Sequence, residues 1–198
     1  ILNTDITHAF TPATDGTYYF NITVVDFAGN SSASTPCSAG VEVDTTAPVA
    51  ASLLAWTQTT PFSGTTINSN WTLSPDSDVV SQDVEYFTNP TCTTTTGTTN
   101  SLGNIAITDT FTGVDGQTYY FNITSIDHVA NATTSICSPV MLLDTTPPNA
   151  ATALAWSEVT PHNATAINAS WTLSTSGDIQ NQTIIYYTDV TCSSAEGT

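Results

Sequence analysis

The sequence predicts an all-β chain of tandem Greek-key β-sandwiches, about 100 residues per repeat. Three observations predict it: an internal repeat of domain length, short runs with period-2 alternation, and frequent breaks at Gly, Pro, Asn and Asp without a helical period.

The repeat is legible by eye. Tyr18-Tyr-Phe-Asn-Ile-Thr23 recurs as Tyr119-Tyr-Phe-Asn-Ile-Thr124, and Asp44-Thr-Thr-Ala-Pro48 as Asp144-Thr-Thr-Pro-Pro148. Leu54-Ala-Trp56 recurs as Leu154-Ala-Trp156, and Trp71-Thr-Leu-Ser74 as Trp171-Thr-Leu-Ser174. Cys37 and Cys92 recur as Cys137 and Cys192. The proline-bearing segment after Asp44 stiffens a short connection and is the natural boundary. Residues 45–145 are therefore expected to form a complete sandwich. Residues 1–44 read as the last three strands of another, and residues 146–198 as the first strands of a third.

Within the central repeat, Leu54 and Trp56 share a face of the first strand. Ile67, Ser69, Trp71 and Leu73 share one in the second, and Val84 and Tyr86 in the third, with Asp83 and Glu85 opposite. The Thr-rich residues 93–100 read as loop. Ile105, Ile107 and Phe111 mark a further strand, and Tyr119, Phe121 and Ile123 share a face in the next. Residues 133–143 supply the last.

The charge balance narrows function. There are 17 acidic residues and no Lys or Arg, so charged residues make up 9% of the chain against roughly a quarter in an ordinary protein. Nucleic-acid binding needs cationic contacts to phosphate, and adhesion to an anionic membrane needs the same. Both classes are excluded, and no run is long and apolar enough for membrane insertion. Catalysis finds no footing either: His8, His128 and His162 lie in no nucleophile or zinc motif, and Asp83 and Glu85 face solvent. No catalytic residue and no catalytic cofactor is expected.

Trp71 in the second strand, Tyr86 in the third and Gly116-Gln-Thr-Tyr-Tyr-Phe opening the sixth resemble the fibronectin type III sandwich. Tyr119 stands where that family places its tyrosine corner, with Tyr18 as its counterpart. Val25-Asp-Phe-Ala-Gly-Asn30 and the Asp-Thr-Thr-Ala-Pro linker resemble tandem Ig-like repeats of prokaryotic surface proteins; Asp127-His-Val-Ala-Asn131 departs from that pattern by lacking the glycine. The resemblance implies an extracellular or cell-surface location. It also implies Ca²⁺ at domain joints: in the family topology Asp44, Asp76, Asp78 and Asp127 converge at one joint, and Asp144, Asp178 and the next copy's Asp26 at the other. The alternative is that these are solvated turn residues.

The halves at either end complement each other, so Thr198 of one copy is expected to be followed by Ile1 of the next. The link is either covalent, within a longer repetitive polypeptide, or strand complementation between protomers. The alternative is an arbitrary stretch of a larger protein. Four cysteines allow three pairings; neighbouring domains lie a domain length apart, which favours Cys92–Cys137 and Cys192 with Cys37 of the following copy. Sequons for N-linked glycans occur at Asn21, Asn30, Asn70, Asn122, Asn131, Asn163, Asn168 and Asn181. The expected role is a structural glycoprotein subunit of a filament or stalk, partnered by identical copies joined head to tail. The alternative is an adhesin or carbohydrate-binding accessory module, with cell-surface polysaccharide as partner.

Overall fold

A computed structural model describes residues 4–34 and 36–197. Thr198 and Ile1, expected to adjoin across copies, lie outside the described residues. The chain divides into two units, Ile1–Thr145 and Thr146–Thr198. Every regular element among the described residues is a strand.

The first unit opens with two hairpin-like pairs. Strands β1 (Gly16–Tyr18) and β4 (Val41–Val43) pair antiparallel, as do β2 (Thr23–Val25) and β3 (Ser31–Ala33). The chain then builds a two-layer sandwich from β5 (Ser52–Trp56), β6 (Thr66–Thr72), β7 (Val79–Phe87), β8 (Thr95–Gly103), β9 (Thr108–Thr112), β10 (Thr118–Asp127), β11 (Ala132–Thr134) and β12 (Met141–Leu142). One sheet has the order β5-β6-β9; the other runs β11-β10-β7-β8, with β12 also on β10. Because β9 returns to the first sheet after β7 and β8 have built the second, the connection is a Greek key. This sheet order makes the central sandwich fibronectin type III-like.

Alternation sets the core. In β6, Ile67, Ser69 and Trp71 are buried; in β10, every second residue from Tyr119 to Asp127 is. Leu54, Ile67, Trp71, Val84, Tyr86, Phe111, Tyr119, Phe121 and Ile123 form one cluster with Met141 and Leu143. Two inward polar pairs sit in the core: Trp71 Nε1 donates to Gln82 Oε1 at 2.9 Å, and the Tyr86 hydroxyl donates to Asp109 Oδ2 at 2.8 Å. Burial foremost, then the hydrogen bond and charge of Asp109, hold the Tyr86 phenol well above its usual range. The Tyr119 hydroxyl accepts the backbone N–H of Val114 at 2.8 Å, the bond of a tyrosine corner.

Two local expectations are corrected. Residues 93–100 are not a loop through to Asn100, because β8 begins at Thr95 and pairs along β7 from Phe87 to Ser81. The run has no apolar alternation to announce it, yet Thr suits an exposed edge strand and the backbone of β7 supplies the bonds. Ile105 and Ile107 are outside the following strand, which begins at Thr108, and they are 82% and 53% exposed. Leu102 and Ala106 pack against the core instead.

Ala130 occupies the place of Gly29 in the repeated turn, and both take a positive φ, 71° and 86°. Left-handed backbone costs a non-glycine residue roughly 1–2 kcal/mol, about half of it offset by the extra unfolded-state entropy of glycine. Ala130→Gly is therefore expected to raise stability by about 0.5–1 kcal/mol, measured by urea unfolding of the central sandwich.

The second unit repeats the opening of the sandwich. It contains β13 (Thr152–Trp156), β14 (Ala169–Thr172), β15 (Tyr186–Tyr187) and β16 (Ala195–Gly197), paired β13 with β14 and β15 with β16. The β13–β14 register, with Thr152 opposite Thr172 and Trp156 opposite Ala169, is that of β5–β6 moved by one repeat.

Candidate functional site

The linker ahead of the central sandwich, residues 44–49, is tied down by carboxylates. The sequence supplies no Lys or Arg, so backbone N–H groups and hydroxyls satisfy them. Asp15 Oδ1 accepts the Thr45 N–H at 3.0 Å and its hydroxyl at 2.7 Å, while Oδ2 accepts the Thr46 hydroxyl at 2.5 Å. Asp44 Oδ1 accepts the Thr46 N–H at 3.1 Å. Asp76 Oδ2 accepts the Val49 N–H at 2.6 Å. From the turn after β10, Asn131 Nδ2 donates to the Asp44 carbonyl at 3.2 Å.

Asp127 builds that turn. It is buried at 2% exposure; its Oδ1 accepts the N–H groups of Val129 and Asn131, and its Oδ2 the Asn131 side-chain amide. Asp26 binds Ala28 and Asn30 in the same way, so the repeated motif is a turn-forming device.

Of the four carboxylates expected to converge here, the structure brings Asp44 and Asp78 together, with His128 as the third member. One ligand atom from each lies within 4.8 Å of the others. Asp78 Oδ1 is buried without a hydrogen-bond partner. Asp76 directs Oδ2 to the Val49 N–H, and Asp127 directs its oxygens to the N–H groups of Val129 and Asn131 and to the Asn131 side-chain amide. A cavity of about 340 Å³ lies beside the cluster, lined by Thr46, Ala47, Pro48, Asp76, Ser77 and Asp78. His128 Nε2 is also 3.9 Å from Glu42 Oε2. For the other joint, Asp144 belongs to the first unit and Asp178 to the second, and Asp26 sits in its own turn.

The clamp on the linker was not anticipated from Asp15 or Asp115, yet it occurs twice: Asp115 Oδ1 accepts the Thr145 N–H at 2.6 Å. The signal was present as an Asp-Gly pair shortly before each corner tyrosine, matched to a Thr-Thr pair after Asp44 and Asp144. His128 had no such signal, since its counterpart is Phe27.

Hydrogen bonds depress these acids. The Thr46 and Thr45 hydroxyls hold Asp15 below its ordinary value of 3.8, and the Asn30 side chain does the same for Asp26. For Asp127, burial pushes upward, but the Asn131 side chain and the backbone N–H groups outweigh it and the net shift is down. A carboxylate depressed in the fold stabilises it fully above 3.8, and this contribution is lost as pH falls through the folded value. Stability is thus expected to drop on acidification below about pH 4. Asp127→Asn should flatten that part of the profile, read from thermal unfolding across acid pH.

Cys92 and Cys137 form a disulfide, with Cα atoms 5.9 Å apart, while Cys37 and Cys192 are free and exposed. Asn21, Asn163 and Asn181 are exposed, and Asn70 and Asn122 are half-buried on strand faces turned from the core. In the other three sequons the side-chain amide is a hydrogen-bond donor: Asn30 to Asp26, Asn131 to Asp127, and Asn168 to Glu158. A glycan on Asn131 would replace one of the two Nδ2 hydrogens that serve Asp127 and Asp44, breaking at least one of these bonds. Peptide mapping of glycosylated material is expected to find Asn131 unmodified.

No family model matches the sequence, and no curated protein matches it. Among solved structures, the chain is similar to an Fn3-like protein from Clostridium thermocellum, at 24% identity over 50% of this chain and 94% of that chain, with a TM-score of 0.33. It is also similar to the FN1–FN3 domains of chicken CNTN1, at 12% identity over 78% of this chain and 52% of that chain, with a TM-score of 0.36. The class is defined by the molecule's own sheet order: a disulfide-bonded fibronectin type III-like sandwich with a clamped linker at either side.

Proposed function

We propose that the chain is a structural subunit of an extracellular filament or cell-surface stalk, built from serial β-sandwich repeats joined head to tail. One observation carries this reading: the same linker clamp is built twice, by Asp15 on Thr45 and by Asp115 on Thr145. A clamp built at both linkers, next to proline, limits bending between sandwiches, and resistance to bending is the property a stalk needs. The disulfide and the fibronectin type III-like fold favour an oxidising, extracellular setting. The role is mechanical, not catalytic.

A divalent cation at Asp44, Asp78 and His128 belongs to the same reading, as a further stiffener of the joint. Two carboxylates suit Ca²⁺; the imidazole extends the fit to softer divalent ions. If the joint holds one, a chelator lowers the temperature of thermal unfolding; an unchanged transition removes the cation from the proposal.

Electron microscopy of native material tests the main reading. Straight rods with a regular axial repeat of sandwich size support it, and freely jointed beads overturn it. Strong, selective hits on a glycan array would favour the adhesin or carbohydrate-binding alternative.

A further inference from the structure

The joint does not fit the Ca²⁺ that the fold resemblance implies. Ca²⁺ takes about six to eight oxygen ligands. Of the four carboxylates expected there, Asp76 Oδ2 accepts the Val49 N–H and Asp127 holds the turn after β10, so only Asp44 and Asp78 reach a common point. The third group at that point is the His128 imidazole. A ring nitrogen beside a few carboxylate oxygens is a donor set for zinc and its neighbours rather than for a hard cation.

Two further observations point to an ion. Asp78 Oδ1 is shut off from solvent and has no hydrogen-bond partner. A carboxylate oxygen so placed has lost its hydration without replacement, which is unfavourable unless a cation meets it. The chain holds no Lys or Arg to do so. The internal repeat supplies the second observation. Asp44 and Asp78 recur as Asp144 and Asp178, but His128 and Glu42 do not recur: Phe27 stands at the place of His128, and Leu142 at the place of Glu42. These two departures from the repeat meet in space, with His128 Nε2 3.9 Å from Glu42 Oε2. Each supplies a metal donor where its counterpart has an apolar side chain.

We propose that Glu42 from β4, Asp44 from the linker, Asp78 from the loop before β7 and His128 from the turn after β10 bind one divalent ion of the zinc class. One nitrogen and three carboxylate oxygens make up a tetrahedral set. Ligand atoms on one tetrahedral zinc lie about 3.4 Å apart. The gap between His128 and Glu42 closes to that by a small rotation of two exposed side chains. The ion also neutralises most of the charge that three carboxylates gather at one place. All four residues belong to the first unit but to segments distant in sequence, so the ion pins the linker where it enters the central sandwich. This rests on the joint cation of the proposed function and names its class; the filament reading does not depend on it.

The test uses the whole chain with Cys37→Ser and Cys192→Ser, so that no free thiol competes for metal, after stripping with a chelator and dialysis. Zinc chloride and calcium chloride are titrated separately by calorimetry, with thermal unfolding in parallel. The expected result is one zinc ion per chain, bound at least about tenfold more tightly than calcium. With zinc at about 100 times its Kd, Tm should rise by roughly 10 °C. His128→Phe introduces the residue found in the sister turn. His128 is exposed, so the metal-free Tm of this variant should match the parent's. Its zinc affinity should fall by at least the roughly 10–100-fold that follows loss of even an outer-shell partner. Glu42→Leu should lower zinc affinity in the same direction and also leave the metal-free Tm unchanged. Zinc held with undiminished affinity by His128→Phe would place it at another histidine and overturn the site. A calcium response equal to or larger than that of zinc overturns the zinc assignment and leaves the joint cation standing. No response to either ion removes both, while straight rods in native material would still support the filament.

Discussion

Phe121→Ala is expected to destabilise the central sandwich by about 3–5 kcal/mol, whereas Phe20→Ala in the same chain changes its stability by less than about 0.5 kcal/mol. The two residues occupy equivalent positions in the same repeated motif, so the chemistry removed is identical. The surroundings differ. Phe121 is fully buried, its ring 4.9 Å from Trp56 edge to face and within 6.4 Å of Tyr86 and Trp71. Truncation there removes the transfer free energy and leaves a void between two sheets that cannot close upon it. Phe20 already lies largely in water, so little is lost. Urea unfolding followed by tryptophan fluorescence measures both. Equal effects would mean that Phe20 is buried in the single chain rather than exposed.

Loss of the Cys92–Cys137 bond is the second large effect. The cysteines are separated by 45 residues and tie the turn before β8 to the segment between β11 and β12. In the chain-entropy account, opening a loop of that length costs about 4 kcal/mol. For a domain near 100 residues this corresponds to a fall in Tm of roughly 15–30 °C. The double variant Cys92→Ala/Cys137→Ala, compared by calorimetry with Cys37→Ser/Cys192→Ser, isolates the contribution. The second pair is free and exposed in the single chain, so its replacement should leave the Tm of the central sandwich unchanged. A small drop in the first variant would show that the denatured chain stays compact across this loop.

The acid-rich, base-free composition has a structural counterpart in the joint. Carboxylates on Asp15, Asp44, Asp76 and Asp127 accept backbone N–H groups, so the same residues that make the protein strongly anionic also shape its linkers and turns. Such bonds need no counter-charge, but they do need ionised acids, which is why the expected weak point is low pH.

The repeat, the strand alternation and the buried faces were determined by the sequence alone. Which residues of β6, β7 and β10 turn inward follows from period-2 patterning, because burial of one face is the dominant energy and a slip of one residue would expose all of it. The corner role of Tyr119 was legible only through the resemblance to the fibronectin type III sandwich, and its bond to the Val114 N–H fits the need of a buried tyrosine hydroxyl for a partner. Tertiary structure alone decided β8, the exclusion of Ile105 and Ile107 from β9, and the company of His128 with Asp44 and Asp78. These depend on which backbone or side chain arrives from a distant part of the chain. Backbone pairing is blind to side-chain pattern, and short polar contacts between loops leave no periodicity in the sequence that encodes them.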